Sequence, residues 1–482
     1  MELHATFVIV YLVALIGVGA LKARKVKNQE DFSLAGRGLS TFVLVGTLLA
    51  TWIGTGSILG NAEKSYRVGY AAFLIPISGA LGIVALYLLA GRIRRFAQFT
   101  IQDILEARFG FAARVIGTVT LLMAYVIIVS YQYRAGAGVV HEFLPDLDPR
   151  MATVGVALFV IVYTALAGMF SVAYTDVVNG ILIIIGIACA LPILLSEAGG
   201  FEGVSEALAA DQKSLFGTFG PLELLSILLP AFLLLIGDAN MYQRFFSARD
   251  AGSARRSAGW MFVGVILLEC AIIAAAILGA ALVAQGALPT PVEDDEGYII
   301  VRLAFHVLPD FLGAVLVATV VAIVVSTADS YLLAPSTAVV RDVYQRMIRP
   351  AAGDREVVWI GRGVVVLLGL VALGLAFASQ GFFDIALFAY TIYGAGITPA
   401  LLAAFFWPRA TTTGAVSSML TGVGTAIVWK YLVADGGLNL GAKDHWLAGV
   451  DAVLPAVLVS VVVLVTVSLA TPPPDAEKAH AI

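Results

Sequence analysis

Hydroxyls, carboxylates and a guanidinium stand inside long apolar runs of this sequence, where no water solvates them. Polar groups in such places are costly and therefore mark function. Ala50-Thr51-Trp52-Ile53-Gly54-Thr55-Gly56-Ser57 sets two glycines and two threonines in the middle of one run. An interrupted helix there frees carbonyl oxygens and amides that can ligate an ion or a solute. The same small residues also serve close helix packing. Ser326-Thr327-Ala328-Asp329-Ser330 is the second cluster. Helical spacing puts Ser326, Asp329 and Ser330 on one face, with Thr327 beside it. Hydroxyls plus a carboxylate suit a hard, oxygen-binding cation. The hydroxyls alone could instead bond back to their own helix, but a carboxylate at that depth needs a partner. Asp176, in Ser171-Val172-Ala173-Tyr174-Thr175-Asp176, is the third. An acid at a helix start also acts as a cap. The fourth is Ser130-Tyr131-Gln132-Tyr133-Arg134. An arginine several residues inside a run lines a cavity or snorkels outward.

Two of these residues point to opposite solute charges. The face of Trp52 attracts a quaternary ammonium, by about 2 kcal/mol when desolvated. The fork of Arg134 grips a carboxylate through paired hydrogen bonds. A zwitterion uses both. The solute candidates are therefore Trp52, Thr55, Gly56, Ser57, Gln132 and Arg134, with a lean to a small carboxylate-bearing or zwitterionic solute. Glu269 is an isolated acid in the middle of a run and has no assigned role. Asp238 reads as ordering a helix end or a gate.

The elements that carry these groups follow from composition. Of 482 residues, 60% are hydrophobic and 13% charged, against about 25% charged in soluble domains. About thirteen apolar segments are expected, near 4–21, 40–60, 70–90, 114–140, 151–170, 174–195, 221–242, 259–285, 309–341, 357–378, 382–406, 413–433 and 452–470. Each is near the length that crosses about 30 Å of hydrocarbon. Backbone groups in lipid must bond within their own segment, so these are helices. The fold class is an all-α polytopic membrane protein. Residues 1–470 form a single transmembrane domain, and the proline-bearing tail 471–482 is expected to be cytoplasmic and disordered.

Basic residues cluster in alternate linkers: Lys22, Arg24, Lys25, Lys27 and Arg37; Arg92, Arg94, Arg95, Arg108 and Arg114; Arg244, Arg249, Arg255 and Arg256; Arg341, Arg346, Arg349 and Arg355. The intervening linkers are acidic, most clearly Glu293-Asp294-Asp295-Glu296. Positive charge stays in the cytoplasm, which predicts an outside N-terminus and a cytoplasmic C-terminus. The expected location is a cell membrane, the bacterial inner membrane. The first run lacks the basic leader of a cleaved signal. Cys189 and Cys270 have no ligand spacing, and the five histidines are scattered, so no zinc site is readable. A net charge of −4 implies no nucleic-acid partner. No His–Ser or Cys–His pairing supports an enzyme.

At these clusters the sequence resembles the sodium:solute symporter family over essentially its whole length. The pieces are Asp31-Phe32-Ser33-Leu34-Ala35-Gly36-Arg37, Gly168 through Asp176, Gln243-Arg244, and Ser326 through Ser330 followed by Asp342-Val343-Tyr344. The wording from Ala50 to Glu63 is most similar to the choline-transporter branch, which does not assign a substrate. The resemblance implies two five-helix repeats of inverted topology, near 40–195 and 221–406, and sodium-coupled symport by alternating access. It implies a principal sodium site on the carbonyls of Ala50, Ile53 and Ile323 and the hydroxyls of Ser326 and Thr327. Some members bind a second sodium; here Asp176, Ser326, Asp329 and Ser330 would hold it. The family often has alanine where Ile323 stands, and its two-sodium pattern has a serine where Asp329 stands. The partners implied are a small solute, sodium and the bilayer, with no obligatory protein partner. A sensor with a separate signalling partner, a passive channel and a choline-like cation transporter are the competing expectations.

Sodium falling inward through 100 mV releases about 2.3 kcal/mol per charge. At about 1.4 kcal/mol per decade, voltage alone supports roughly 40-fold accumulation of a neutral solute per sodium. An anionic solute cancels that gain, so a second sodium matters most for an anion.

Overall fold

The architecture is that of a computed structural model, which describes residues 2–479 except 24–25, 97, 217–218, 292–294, 379–382 and 435–449. Arg24, Lys25, Glu293 and Asp294, used above for orientation, lie outside the described residues, as do His445 and His480. The described residues hold helices and one isolated bridge, Leu39 to Ala248. Among them, eleven helices are long and apolar enough to cross a membrane, and a bent pair makes a twelfth. The remaining expected segment is α1 (Glu2–Ala23), whose apolar stretch Leu3–Val18 is shorter than the others.

The helices that build the bundle and the site follow in order. They are α2 (Thr41–Trp52), α3 (Asn61–Val68), α4 (Pro76–Phe96), α5 (Ile101–Phe109), α6 (Phe111–Phe143), α7 (Pro149–Glu197), α8 (Pro221–Gly237), α9 (Ala239–Ser247), α10 (Ala251–Ala284), α11 (Ile299–His306) and α12 (Asp310–Ala338). Then come α13 (Asp354–Ala376), α14 (Phe383–Gly396), α15 (Thr398–Phe406), α16 (Thr412–Val428) and α17 (Val453–Ala470). Apolar side chains such as Leu88, Trp260, Leu267 and Leu367 are exposed on the outer faces, as lipid-facing residues are. Helix α12 is the hub: it packs on α1, α6 and α7, and 78% of its most apolar window is buried.

Three interruptions shape the bundle. The pair from Thr41 to Leu74 bends by 53° around Ile53–Thr55. The helical path α8–α9 breaks at Asp238, whose backbone is extended (φ −64°, ψ 114°). Its carboxylate then accepts from the Asn240 amide at 2.8 Å and starts α9. This matches the helix-end role expected for Asp238. The long α7 is split at Gly168 (φ 63°, ψ 175°). Any side chain there would be strained, and a Cβ would fall 2.8 Å from the Phe32 ring.

Candidate functional site

In an unbroken helix the Gly54 amide would bond the Ala50 carbonyl. Here it turns to the carbonyl of Trp52 at 2.8 Å, because Ile53 leaves helical geometry (ψ 82°). The Ala50 oxygen is thereby freed, and the Ser326 hydroxyl of α12 lies 3.3 Å from it. The same hydroxyl lies 3.2 Å from the Ile323 carbonyl. One hydroxyl proton serves one of these at a time, and its lone pairs remain available. Next to it, the Thr327 hydroxyl is buried with no hydrogen-bond partner. Gly54 lets it come close: a Cβ at Gly54 would sit 2.9 Å from both Thr327 Oγ1 and Cγ2. Ala50, Ile53, Ile323 and Ser326 are fully buried. The structure thus brings together the oxygens of Ala50, Ile323, Ser326 and Thr327, at the break where Ile53 stands.

A cavity opens beside this break. Its wall includes Thr51, Trp52, Gly54, Gly56 and Ser57 from the bent pair, Tyr131 of α6, Glu269 of α10, Thr327 and Tyr331 of α12, and Tyr390 of α14. Trp52 Nε1 donates to Glu269 Oε1 at 3.0 Å, and the Ser57 hydroxyl donates to the same oxygen at 3.2 Å. The hydroxyls of Tyr131 and Tyr390 are 3.3 Å apart. Of the solute candidates, Trp52, Gly56 and Ser57 line the cavity. Thr55 and Gln132 do not. The Thr55 hydroxyl donates to the Gln132 side chain, both fully buried, which ties the break to α6. Arg134 is not among the lining residues. It is only partly buried and lies near Tyr298, three residues, just under one helical turn, beyond the cavity residue Tyr131.

Asp176, Asp329 and Ser330 meet around a residue that sequence reasoning had counted as a loop cation. Arg244 is 1% exposed. Its Nη2 donates to Asp176 Oδ2 at 3.2 Å and to the Ser330 hydroxyl at 2.8 Å. Its Nε donates to the Thr47 hydroxyl at 2.9 Å, and Thr47 donates to Asp176 Oδ2 at 2.6 Å. Ser330 in turn lies 3.2 Å from Asp329 Oδ1. Asp176 Oδ1 is buried and unbonded. Two carboxylates face one guanidinium, so the fully ionised group carries one uncompensated negative charge. Asp176 sits well inside α7, which continues from Pro149 to Glu197 apart from the Gly168 kink, so it does not cap a helix start.

Arg114, also counted as a linker cation, is buried. It pairs with Asp342 at 2.9 Å, with Glu106 at 2.6 Å and with Asp103, which fastens α5, α6 and the segment Val339–Ile348 after α12 together. Thr47, Arg244 and Glu269 are the site residues that sequence reasoning missed or left unassigned. Arg244 follows a helical stretch with no intervening breaker after Asp238. Continuing the helix through it would have placed it inside the bundle.

The profile of the family described as the sodium:solute symporter family matches residues 32–422. The chain is 28% identical over 440 residues to a sodium/proline symporter of Salmonella typhimurium, covering 87% of this chain and 86% of that protein. It is equally 28% identical over 435 residues to the high affinity choline transporter 1 of Homo sapiens, covering 86% and 75%. A solved sodium-coupled sialic acid symporter superposes with a TM-score of 0.83 at 17% identity over 98% of this chain and 99% of that one, which shows a shared fold. Sodium is the coupling ion of such proteins, and they are transporters rather than enzymes. The chain, a multi-pass membrane protein, belongs to the sodium:solute symporter family.

Proposed function

We propose that this protein imports a small organic solute by sodium-coupled symport with alternating access. The Ala50 and Ile323 carbonyls, the Ile53 carbonyl at the break and the hydroxyls of Ser326 and Thr327 form the principal sodium site. The observation that carries this is the orphaned Thr327 hydroxyl beside a freed Ala50 carbonyl. Buried hydroxyls without partners are disfavoured, and a bound cation would satisfy this one. Relatives named for proline and choline make those two solutes the first probes. The Arg134 basis for a carboxylate-bearing solute gains no support from its place outside the cavity, so we carry that expectation forward only for a zwitterion.

The uncompensated charge around Asp176 and Asp329 supports a second cation there. Sodium on Asp176 Oδ1, Asp329 and Ser330 is the reading we carry forward. We also carry forward the orientation with the N-terminus outside and the C-terminus cytoplasmic, in a bacterial inner membrane. The arginines at the ends of α4 and in Arg249, Arg255 and Arg256 support it.

The test uses proteoliposomes holding the purified protein with an imposed inward sodium gradient. Proline or choline should accumulate above its external concentration, and a sodium ionophore should abolish this. Uptake that only equilibrates would mean a passive pathway and would refute symport.

A further inference from the structure

We propose that Glu269 is the binding group for a positively charged nitrogen on the transported solute. The proposal rests on the reading of the central cavity as the transport site. It goes beyond that reading by naming the charge class the cavity accepts.

Glu269 is 4% exposed in the middle of α10. Among the described residues it has no ion-pair partner, and it is the one ionisable carboxylate in the cavity wall, which contains no arginine, lysine or histidine. Both of its protein donors, Trp52 Nε1 and the Ser57 hydroxyl, fall on Oε1. Those two bonds fix the carboxylate's orientation against the broken helix and leave Oε2 for an occupant. A buried carboxylate without a cation is strongly disfavoured, and a cationic nitrogen arriving with the solute supplies the missing charge.

The rest of the wall suits the same guest. Trp52, Tyr131, Tyr331 and Tyr390 present aromatic surface to the cavity, and aromatic faces attract a desolvated cation. The Trp52 indole has two tasks at once: its N–H holds Glu269, and its ring faces the cavity. An anionic solute would meet Glu269 with no guanidinium to offset it, because Arg134 is elsewhere. A zwitterion can set its ammonium on Glu269 and turn its carboxylate toward Thr327 and the sodium site.

A protonated Glu269 that merely donates a hydrogen bond is the competing role, and Glu269→Gln separates the two. Glutamine keeps the size and the hydrogen-bonding but not the charge. The experiment measures the melting temperature of the purified protein in detergent, in sodium chloride and in potassium chloride. The probes are proline, choline and glycine betaine, which carry a cationic nitrogen, and lactate and glucose, which do not. Circular dichroism checks that each variant is folded, and Glu269→Asp provides a second variant that keeps the charge on a shorter arm.

The expected result is stabilisation by at least one of the three amines and by neither lactate nor glucose. In Glu269→Gln the amine's apparent affinity should fall by at least about tenfold, the loss of one charge-assisted contact. Glu269→Asp should fall between wild type and Glu269→Gln. Stabilisation by lactate or glucose, no stabilisation by any amine, or an undiminished amine response in folded Glu269→Gln would each overturn the proposal. If an amine stabilises the wild type equally in sodium and in potassium, the sodium reading fails while the assignment of Glu269 stands.

Discussion

Nη2 of Arg244 lies 3.2 Å from Oδ2 of Asp176, across 68 positions of sequence. The pair joins α9, which follows the second helix break, to the middle of α7. Removing one partner of a buried ion pair leaves an uncompensated charge and typically costs about 3–5 kcal/mol. We expect Arg244→Gln and Asp176→Asn each to lower the melting temperature clearly. The double variant should lose much less than the sum, as coupled residues do. Additive losses in the double variant would show that the two residues do not depend on each other.

The charge left over by this pair bears on stoichiometry. With two sodium ions per cycle, the initial rate of uptake rises more steeply than a hyperbola as sodium increases. Asp329→Asn removes one of the two carboxylates near Ser330 and should flatten the curve to a hyperbola. A hyperbolic curve already in the wild type would assign Asp329 a structural role or a proton, and would leave one sodium per cycle.

Arg134 provides the opposite kind of test. Because it lies outside the cavity wall, we expect Arg134→Lys to retain uptake within about threefold of wild type, a change below 1 kcal/mol. A severe loss of apparent affinity for a carboxylate-bearing solute, with normal melting behaviour, would bring Arg134 back into the solute site.

Gly54 permits the approach of α2 to α12. A methyl group there would sit 2.9 Å from Thr327 Oγ1 and Cγ2, and the neighbour would have to shift. Gly54→Ala should therefore raise the sodium concentration needed for half-maximal uptake, by roughly tenfold if one oxygen ligand is displaced. Gly91, with open space around it, provides the control substitution. Equal behaviour of Gly54→Ala and Gly91→Ala would deny Gly54 its part in the site.

Much of this arrangement was legible in the sequence, and for a physical reason. Ala50 to Ser57 and Ser326 to Ser330 are polar or helix-breaking residues in apolar surroundings, and lipid tolerates such residues only where they are used. The resemblance to the family, not the spacing, is what pairs the Ala50 carbonyl with the Ser326 hydroxyl, and the structure places the two 3.3 Å apart. Charged residues next to helix ends were harder to place. Arg244 and Arg114 contribute to the same basic clusters as the exposed Arg249 and Arg346. Orientation depends only on their side of the membrane, so counting them says nothing about burial. What distinguishes them is a carboxylate from a distant helix, Asp176 for one and Asp342 for the other. Sequence spacing does not report that proximity. Sequence spacing also does not separate Arg134, a solute candidate, from Glu269, which it leaves without a role. Both are isolated charges inside apolar runs, and only the rotation of α6 and α10 decides which one faces the cavity. Trp52, a solute candidate by its type and place, lines the cavity in the structure while also holding Glu269.

Equilibrium binding of radiolabelled sodium to the purified protein, without any solute, tests the central claim most directly. Each lost oxygen ligand to a buried cation is worth about 1.5–3 kcal/mol, taken as a hydrogen bond to a charged group. The expected result is saturable binding to the wild type that potassium does not displace. Ser326→Ala and Thr327→Ala, both still folded, should each weaken it by about tenfold or more. Sodium binding of wild-type affinity in both variants would contradict a sodium site between the broken helix and α12.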